Sequence, residues 1–260
     1  MVPLDHVVIN TLRNMDAAAD CFAALGFQLT PRGHHSLGSI NHLMMTRGAY
    51  LELVGVPETG LQRQEVLDSP YGLNGLVLQS NDADKTFARL TAAGFPALAP
   101  DNFSRPVAIG GRSLDARFRT VRFPPGTFAG GRVYFCQHLT PELVWREEWF
   151  NHPNFFCGIG GVVIESSNER LDAERYAAAL ESSLERRGSE WRVNLADAQI
   201  GIVNGPTPRF ATVDLLFENL NEIESRARLL TDAVWHRLSD REAMIALPLF
   251  KLNLTCRSIR

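Results

Sequence analysis

Apolar positions along the chain fall into short runs suited to strands, separated by longer stretches rich in helix formers. Leu4-Asp5-His6-Val7-Val8-Ile9-Asn10 is short, β-branched and apolar, and predicts a strand. Met15 to Leu25 predicts a helix stopped by Gly26, a residue suited to the position just past a helix end. Three more strands are predicted at Phe27–Thr30, Ile40–Met45 and Ala49–Val56, with a tight turn at Arg47-Gly48 between the last two. The unit reads strand, helix, then three strands.

That order recurs. Gly75–Gln79 predicts a strand, Asp82–Ala93 a helix ending at Gly94, and Phe95–Leu98 an edge strand, because Pro96 cannot donate to a ladder. Ala116–Phe123 and Arg132–His138 complete the second unit. The phrases Ala24-Leu25-Gly26-Phe27 and Ala92-Ala93-Gly94-Phe95 correspond, which marks a duplicated module.

Two further units follow the same plan. In one, strand Gly160–Glu165 leads to a helix from about Leu171 to Arg187, then to strands at Trp191–Asn194 and Ile200–Val203. In the other, strand Ala211–Phe217 leads to a helix near Leu220–Leu230, then to strands at Ala233–Leu238, Glu242–Ala246 and Phe250–Cys256. Four modules make two domains, 1–145 and 157–260. Between them Trp145, Trp149, Phe150, Phe155 and Phe156 crowd around Pro153, which suggests an interface plug rather than a flexible linker.

Composition narrows the function classes. Lys plus Arg total 26 and Asp plus Glu 29, a net charge of −3, so a dedicated nucleic-acid or anionic-membrane surface is not expected. Cys21, Cys136, Cys157 and Cys256 are scattered with no C-x-x-C pair, which excludes a zinc ribbon and suggests buried thiols in a reducing compartment. The N-terminus has no secretory pattern and no apolar run reaches the ~18 residues of a membrane span, so a cytoplasmic protein is expected. Gly110-Gly111 and Gly130-Gly131 read as turns, and Gly158-x-Gly160-Gly161 precedes a strand, the wrong order for phosphate binding.

Repeated βαβββ modules with His6 in the first strand and Glu52 in the fourth resemble the vicinal oxygen chelate superfamily, which includes glyoxalases, extradiol dioxygenases and bleomycin-resistance proteins. Leu4-Asp5-His6-Val7-Val8, Arg32-Gly33-His34-His35, Gly38-Ser39-Ile40-Asn41-His42-Leu43, Tyr50-Leu51-Glu52-Leu53 and Gln137-His138-Leu139-Thr140-Pro141-Glu142 are similar to its glyoxalase-like branch. The match is close over 1–145 and rests on module order beyond. It implies an α+β fold of tandem βαβββ modules in two curved, mainly antiparallel half-barrel sheets, with helices on the convex side. It also implies a divalent metal (Fe, Mn, Ni, Co or Zn) held by inward residues of the first and fourth strands.

Alternation puts His6 on a face with Leu4 and Val8, and Glu52 on one with Tyr50 and Val54. A carboxylate in so apolar a strand is costly to bury unless it is paired or bound to metal. In the second module the first-strand position falls near Gly75 or Leu76, which cannot coordinate, and the fourth near Gln137, with His138 on the opposite face. His6, Glu52 and Gln137 are therefore the expected ligands, converging on one cleft. His42 or water could fill the vacancy, and the alternative is that no metal binds. The third and fourth modules carry Gly161, Val162, Val213 and Asp214 at these positions and an unpartnered His236, so the C-terminal half reads as structural, a lid, or a dimerisation element.

Glu52 and His42 are the candidate acid–base groups, and Arg32, Asn41, His42, Tyr50, Tyr134 and His138 the candidate substrate contacts, Arg32 toward an anion. Cys136 lacks a His-Asp relay and reads as an inert thiol. Two functions compete. One is a metal-assisted lyase, isomerase or dioxygenase acting on a small oxygenated molecule; the other is a metal-free protein sequestering an apolar or aromatic ligand. The first-module pair favours the enzyme; the missing ligand favours the binder.

Overall fold

The computed structural model describes residues 1–260. The first half runs β1 (Leu4–Leu12), α1 (Met15–Ala24), β2 (Gly33–His34), β3 (Ile40–Met44), β4 (Tyr50–Gly55), α2 (Gln64–Leu67), β5 (Gly72–Gln79), α3 (Ala83–Ala92), β6 (Asp101–Ile109), β7 (Arg112–Val121) and β8 (Arg132–His138). The second runs β9 (Phe156–Ser166), α4 (Glu169–Leu180), β10 (Leu184–Arg187), β11 (Glu190–Asn194), β12 (Gln199–Asn204), β13 (Arg209–Phe217), α5 (Asn221–Leu229), β14 (Val234–Arg237), β15 (Glu242–Leu247) and β16 (Leu252–Ser258). Apart from the short added helix α2, this is βαβββ four times over.

Each half forms one eight-stranded sheet, ordered β2-β3-β4-β1-β5-β8-β7-β6 and β10-β11-β12-β9-β13-β16-β15-β14. In the first, β1 pairs parallel with β4 and β5 parallel with β8, while every other pairing is antiparallel. Its two ends approach each other, because Ser36 N–H donates to Ser104 O at 3.0 Å and Ser104 N–H to Ser36 Oγ at 3.2 Å. The first sheet thus nearly closes around its concave face. No such bond joins β10 to β14.

Both faces of the central strands β1, β4 and β5 are buried, in different company. Leu4, Val7, Ile9, Leu51 and Leu53 point to the helix side and join a core of 50 side chains that runs on into the second half. Phe27, Phe156 and Phe217 carry that core across, with ring centroids 5.2 Å apart for Phe27–Phe156 and 5.8 Å for Phe156–Phe217. Val8, Tyr50, Val54, Phe118 and Cys136 line the concave side.

The repeated Gly-Phe phrases turn out to be helix caps. Gly26 (φ +85°) and Gly94 (φ +81°) adopt the left-handed conformation. Phe27 N–H reaches back to Phe22 O and Phe95 N–H to Leu90 O, both at 3.0 Å, the six-to-one bond of a Schellman cap with its apolar residue. This corrects two expected strands. Phe27–Thr30 and Phe95–Leu98 lie outside the ladders, their first amides being spent on the helix, and the strands come later as β2 and β6. Likewise the third-module helix stops at Leu180, and Leu184–Arg187 is strand β10.

The aromatic connector behaves differently from a plug between halves. Trp145, Trp149 and Phe150 pack on the concave-side cluster of the first half. Trp145 Nε1–H donates to Gly48 O at 2.9 Å, Phe155 is exposed, and only Phe156 joins the shared core.

Candidate active site

A small cavity of about 40 Å3 lies inside the concave face of the first sheet. β1 delivers His6 to it, but not as strict alternation would have it. The β1–β5 register passes from Leu4↔Leu78 to His6↔Val77, so Asp5 is an extra residue, a bulge. Leu4 therefore turns to the helix-side core, and the expectation that it shares a face with His6 is corrected. The bulge also turns Asp5 inward, where its Oδ1 lies 2.5 Å from His6 Nδ1.

Val8 pairs with Glu52 across the parallel β1–β4 ladder, which sets Glu52 one step along from His6 on the same face. His6 Nε2 is 3.4 Å from Glu52 Oε2, and Glu52 Oε1 accepts from Asn41 Nδ2 at 2.6 Å. Tyr50 stacks on the His6 ring at 4.5 Å, and Tyr134 Oη stands 3.4 Å from His6 Nε2. His6, Asp5, Asn41 and Glu52 are all buried.

The electrostatics follow from this packing. Burial opposes charge on all three ionisable groups, yet mutual pairing prevails. Burial would raise the Asp5 carboxyl, but His138 and His6 hold it at about 2. Burial would raise Glu52 too, but His6, with help from Asn41, holds it at about 2. Burial would lower His6, but Asp5 and Glu52 lift it to about 9. Burial wins at His35, which falls to about 4 and is neutral, its Nδ1 2.8 Å from Ser39 Oγ.

Several predicted residues lie elsewhere. Gln137 is turned to the helix side, where its Oε1 accepts from Ala83 N–H at 3.0 Å and its Nε2 donates to Asn81 O at 3.1 Å. It does not converge with His6 and Glu52, because Tyr134, Cys136 and His138 take the concave side of β8. His138 Nε2 sits 3.1 Å from Asp5 Oδ2, and Asp5, Cys136 and His138 form a cluster with metal-ligand spacing behind His6. His42 and Arg32 also face outward. His42 Nδ1 bonds Thr30 O at 2.8 Å, Arg32 Nε–H reaches His42 Nε2 at 3.2 Å, and Arg32 pairs with Asp16 of α1.

Residues that sequence reasoning missed complete the wall. Arg63, Arg105 and Arg132 border the cavity with His35 and Phe103, whose ring stacks on Phe118 at 4.9 Å. Arg63 and Arg132 share the carboxylate of Glu65 with Arg122. Arg132 and Tyr134 also border a larger cleft of about 940 Å3 between α2, the loop before β8, and α4.

Two donors of the cavity have the spacing a divalent cation needs. Metal–ligand bonds of about 2.1 Å place neighbouring donors roughly 3.0–3.5 Å apart, and His6 Nε2 and Glu52 Oε2 meet that spacing. Asp5 behind His6 Nδ1 supplies the carboxylate that orients a ligating imidazole.

The sequence profile of a family described as a glyoxalase-like domain matches residues 4–180. No curated protein matches the sequence. Among solved structures, a hypothetical protein from Staphylococcus aureus superposes with a TM-score of 0.71 at 14% identity, covering 100% of each chain. A mutant 4-hydroxymandelate synthase from Streptomyces coelicolor reaches 0.59 at 17% identity, over 98% of this chain and 92% of that one. The Mn(II)-bound glyoxalase from Novosphingobium aromaticivorans reaches 0.60 at 14% identity, over 99% and 83%. At these identities the likeness is one of fold. No helix is long and apolar enough to cross a membrane.

Proposed function

Because the chain belongs to the glyoxalase-like domain family of the vicinal oxygen chelate superfamily, we propose that it is a metal-assisted enzyme acting on a small oxygenated molecule. The observation that carries this reading is the buried His6 Nε2–Glu52 Oε2 pair, 3.4 Å apart, with Asp5 fixing the imidazole from behind. A divalent ion (Fe, Mn, Ni, Co or Zn) held by His6 and Glu52 would supply Lewis acidity toward the substrate's oxygens.

The chain's own groups do the rest. Asp5 holds a proton on His6 Nδ1, so that a metal would displace only the Nε2 proton, which faces Glu52 in the metal-free protein. Asn41 fixes the Glu52 carboxylate through Oε1. Burial keeps the Tyr134 phenol protonated, so it presents a hydrogen-bond donor beside His6. Phe103, Phe118 and Tyr50 exclude water and strengthen each polar contact inside. Lyase or isomerase chemistry suits this set better than ring cleavage, since only His6 stands at ligand spacing from the carboxylate, while the cavity's other histidine, His35, is engaged by Ser39 and Asn41.

Metal analysis of untagged protein purified without chelator tests the reading. Near-stoichiometric metal in wild type, lost in His6→Ala, supports it. A wild type that stays empty after reconstitution favours the second reading, a metal-free binding protein. One feature speaks for that alternative: Asp5 and Glu52 already flank His6 and pair with it as an ion triad without a metal.

A further inference from the structure

Arg105 is the one charged side chain of the cavity wall without a partner. It projects from β6, is 6% exposed, and has no carboxylate within ion-pair distance and no side-chain hydrogen bond, whereas Arg63 and Arg132 both reach Glu65. Its approach is built into the neighbouring strand. A Cβ on Gly33 would lie 2.5 Å from Arg105 Cδ, 2.9 Å from its Nη1 and 2.2 Å from Asn41 Oδ1, so glycine leaves room for both side chains as they stand.

Glu52 lies beyond ion-pair distance of Arg105, its oxygens turned to Asn41 and His6. A buried guanidinium left unpaired carries a large desolvation cost, and its planar fork of donors matches an oxyanion bidentately. Buried Asn41 Oδ1 near it also has no hydrogen-bond partner, and as an acceptor it would take a donor of the same ligand, such as a hydroxyl.

We propose that Arg105 anchors an anionic group of the substrate, a carboxylate or phosphate-type oxyanion, within the cavity shared with His6 and Glu52. This rests on the cavity being the substrate site and adds the substrate class. The enclosed volume of about 40 Å3 admits a headgroup of few atoms. Arg32, the arginine expected from the sequence to meet an anion, is already paired with Asp16 on the other face.

The test uses acetate, inorganic phosphate and neutral acetamide as probes, with wild type, R105Q and R105K, each with chelator and with added Mn(II). Calorimetry and melting temperature are the readouts. Wild type binds acetate or phosphate but not acetamide, and which anion is preferred separates a carboxylate from a phosphate substrate. R105Q weakens anion binding tenfold or more, and R105K retains part of it. Ligand-free R105Q melts no lower than wild type, because an unpaired buried charge has been removed. R105Q that binds the anions as tightly as wild type, or wild type that binds neither, overturns the proposal. Metal uptake is read independently. An Arg105-dependent anion site in a protein that takes no metal sinks the metalloenzyme and leaves the anchor standing; metal uptake without such a site does the reverse.

Discussion

Asp5 and His6 are adjacent in sequence and yet turn their side chains into the same buried space, with Oδ1 2.5 Å from Nδ1. The β1 bulge makes this possible, by spending one extra residue where regular alternation would have sent Asp5 to the helix side. One strand thereby supplies both a candidate ligand and the group that orients it.

Asp5→Asn keeps the shape and removes the charge behind His6. Metal affinity should fall roughly 10–100-fold, the usual consequence of losing the carboxylate behind a ligating histidine. Titration of Mn(II) or Zn(II) into chelator-stripped wild type and variant checks this. Equal affinities would show that Asp5 does not orient His6.

The metal-free protein should have a pH-stability profile with two limbs. Asp5 and Glu52 titrate at about 2, below their ordinary 3.8 and 4.5, so their contribution is present above the ordinary range and is lost as pH falls toward 2. His6 is raised from 6.5 to about 9, so its contribution is complete below 6.5 and is lost as pH rises through 9. Melting temperature with chelator should therefore be highest near pH 4.5–6.5. Metal binding requires neutral His6, so affinity should climb with pH toward 9. A His6→Asn variant with an undiminished alkaline limb would refute the assignment.

Gly33→Ala should destabilise through crowding, since Gly33 lacks a positive φ and the new methyl would strike Asn41 and Arg105. Overpacking of this kind costs about 1–3 kcal/mol. Urea denaturation measures it, and a neutral result would mean that the two side chains move freely.

How much of this the sequence showed depends on the residue. His6 and Glu52 were legible because a charged or titratable group in an apolar strand stands out whichever way it points. The module order was legible from helix formers stopped by glycine. The inward face of β8 was not, because both faces are buried and Val133, Phe135 and Cys136 give no polar alternation to fix parity; Gln137 and His138 were exchanged as a result. The same holds on β3, where Asn41 rather than His42 faces in. Arg105 gives no signal in the pattern, because the pattern places the second module's edge strand at Phe95–Leu98, where the chain instead caps α3 and pairs only later as β6. The Asp5 bulge leaves no mark on the sequence pattern at all.

Glu52→Gln addresses the central claim most directly. Melting temperature is measured for wild type and variant, each with chelator and with added Mn(II) or Zn(II). A cation at a hundredfold excess over Kd adds about 2.7 kcal/mol to the native state, enough to raise the wild-type melt by several degrees. The account predicts that rise in wild type and its loss in Glu52→Gln, which should also melt lower with chelator because His6 loses a charged partner. A wild-type melt indifferent to every metal, with Glu52→Gln equally stable, would contradict it.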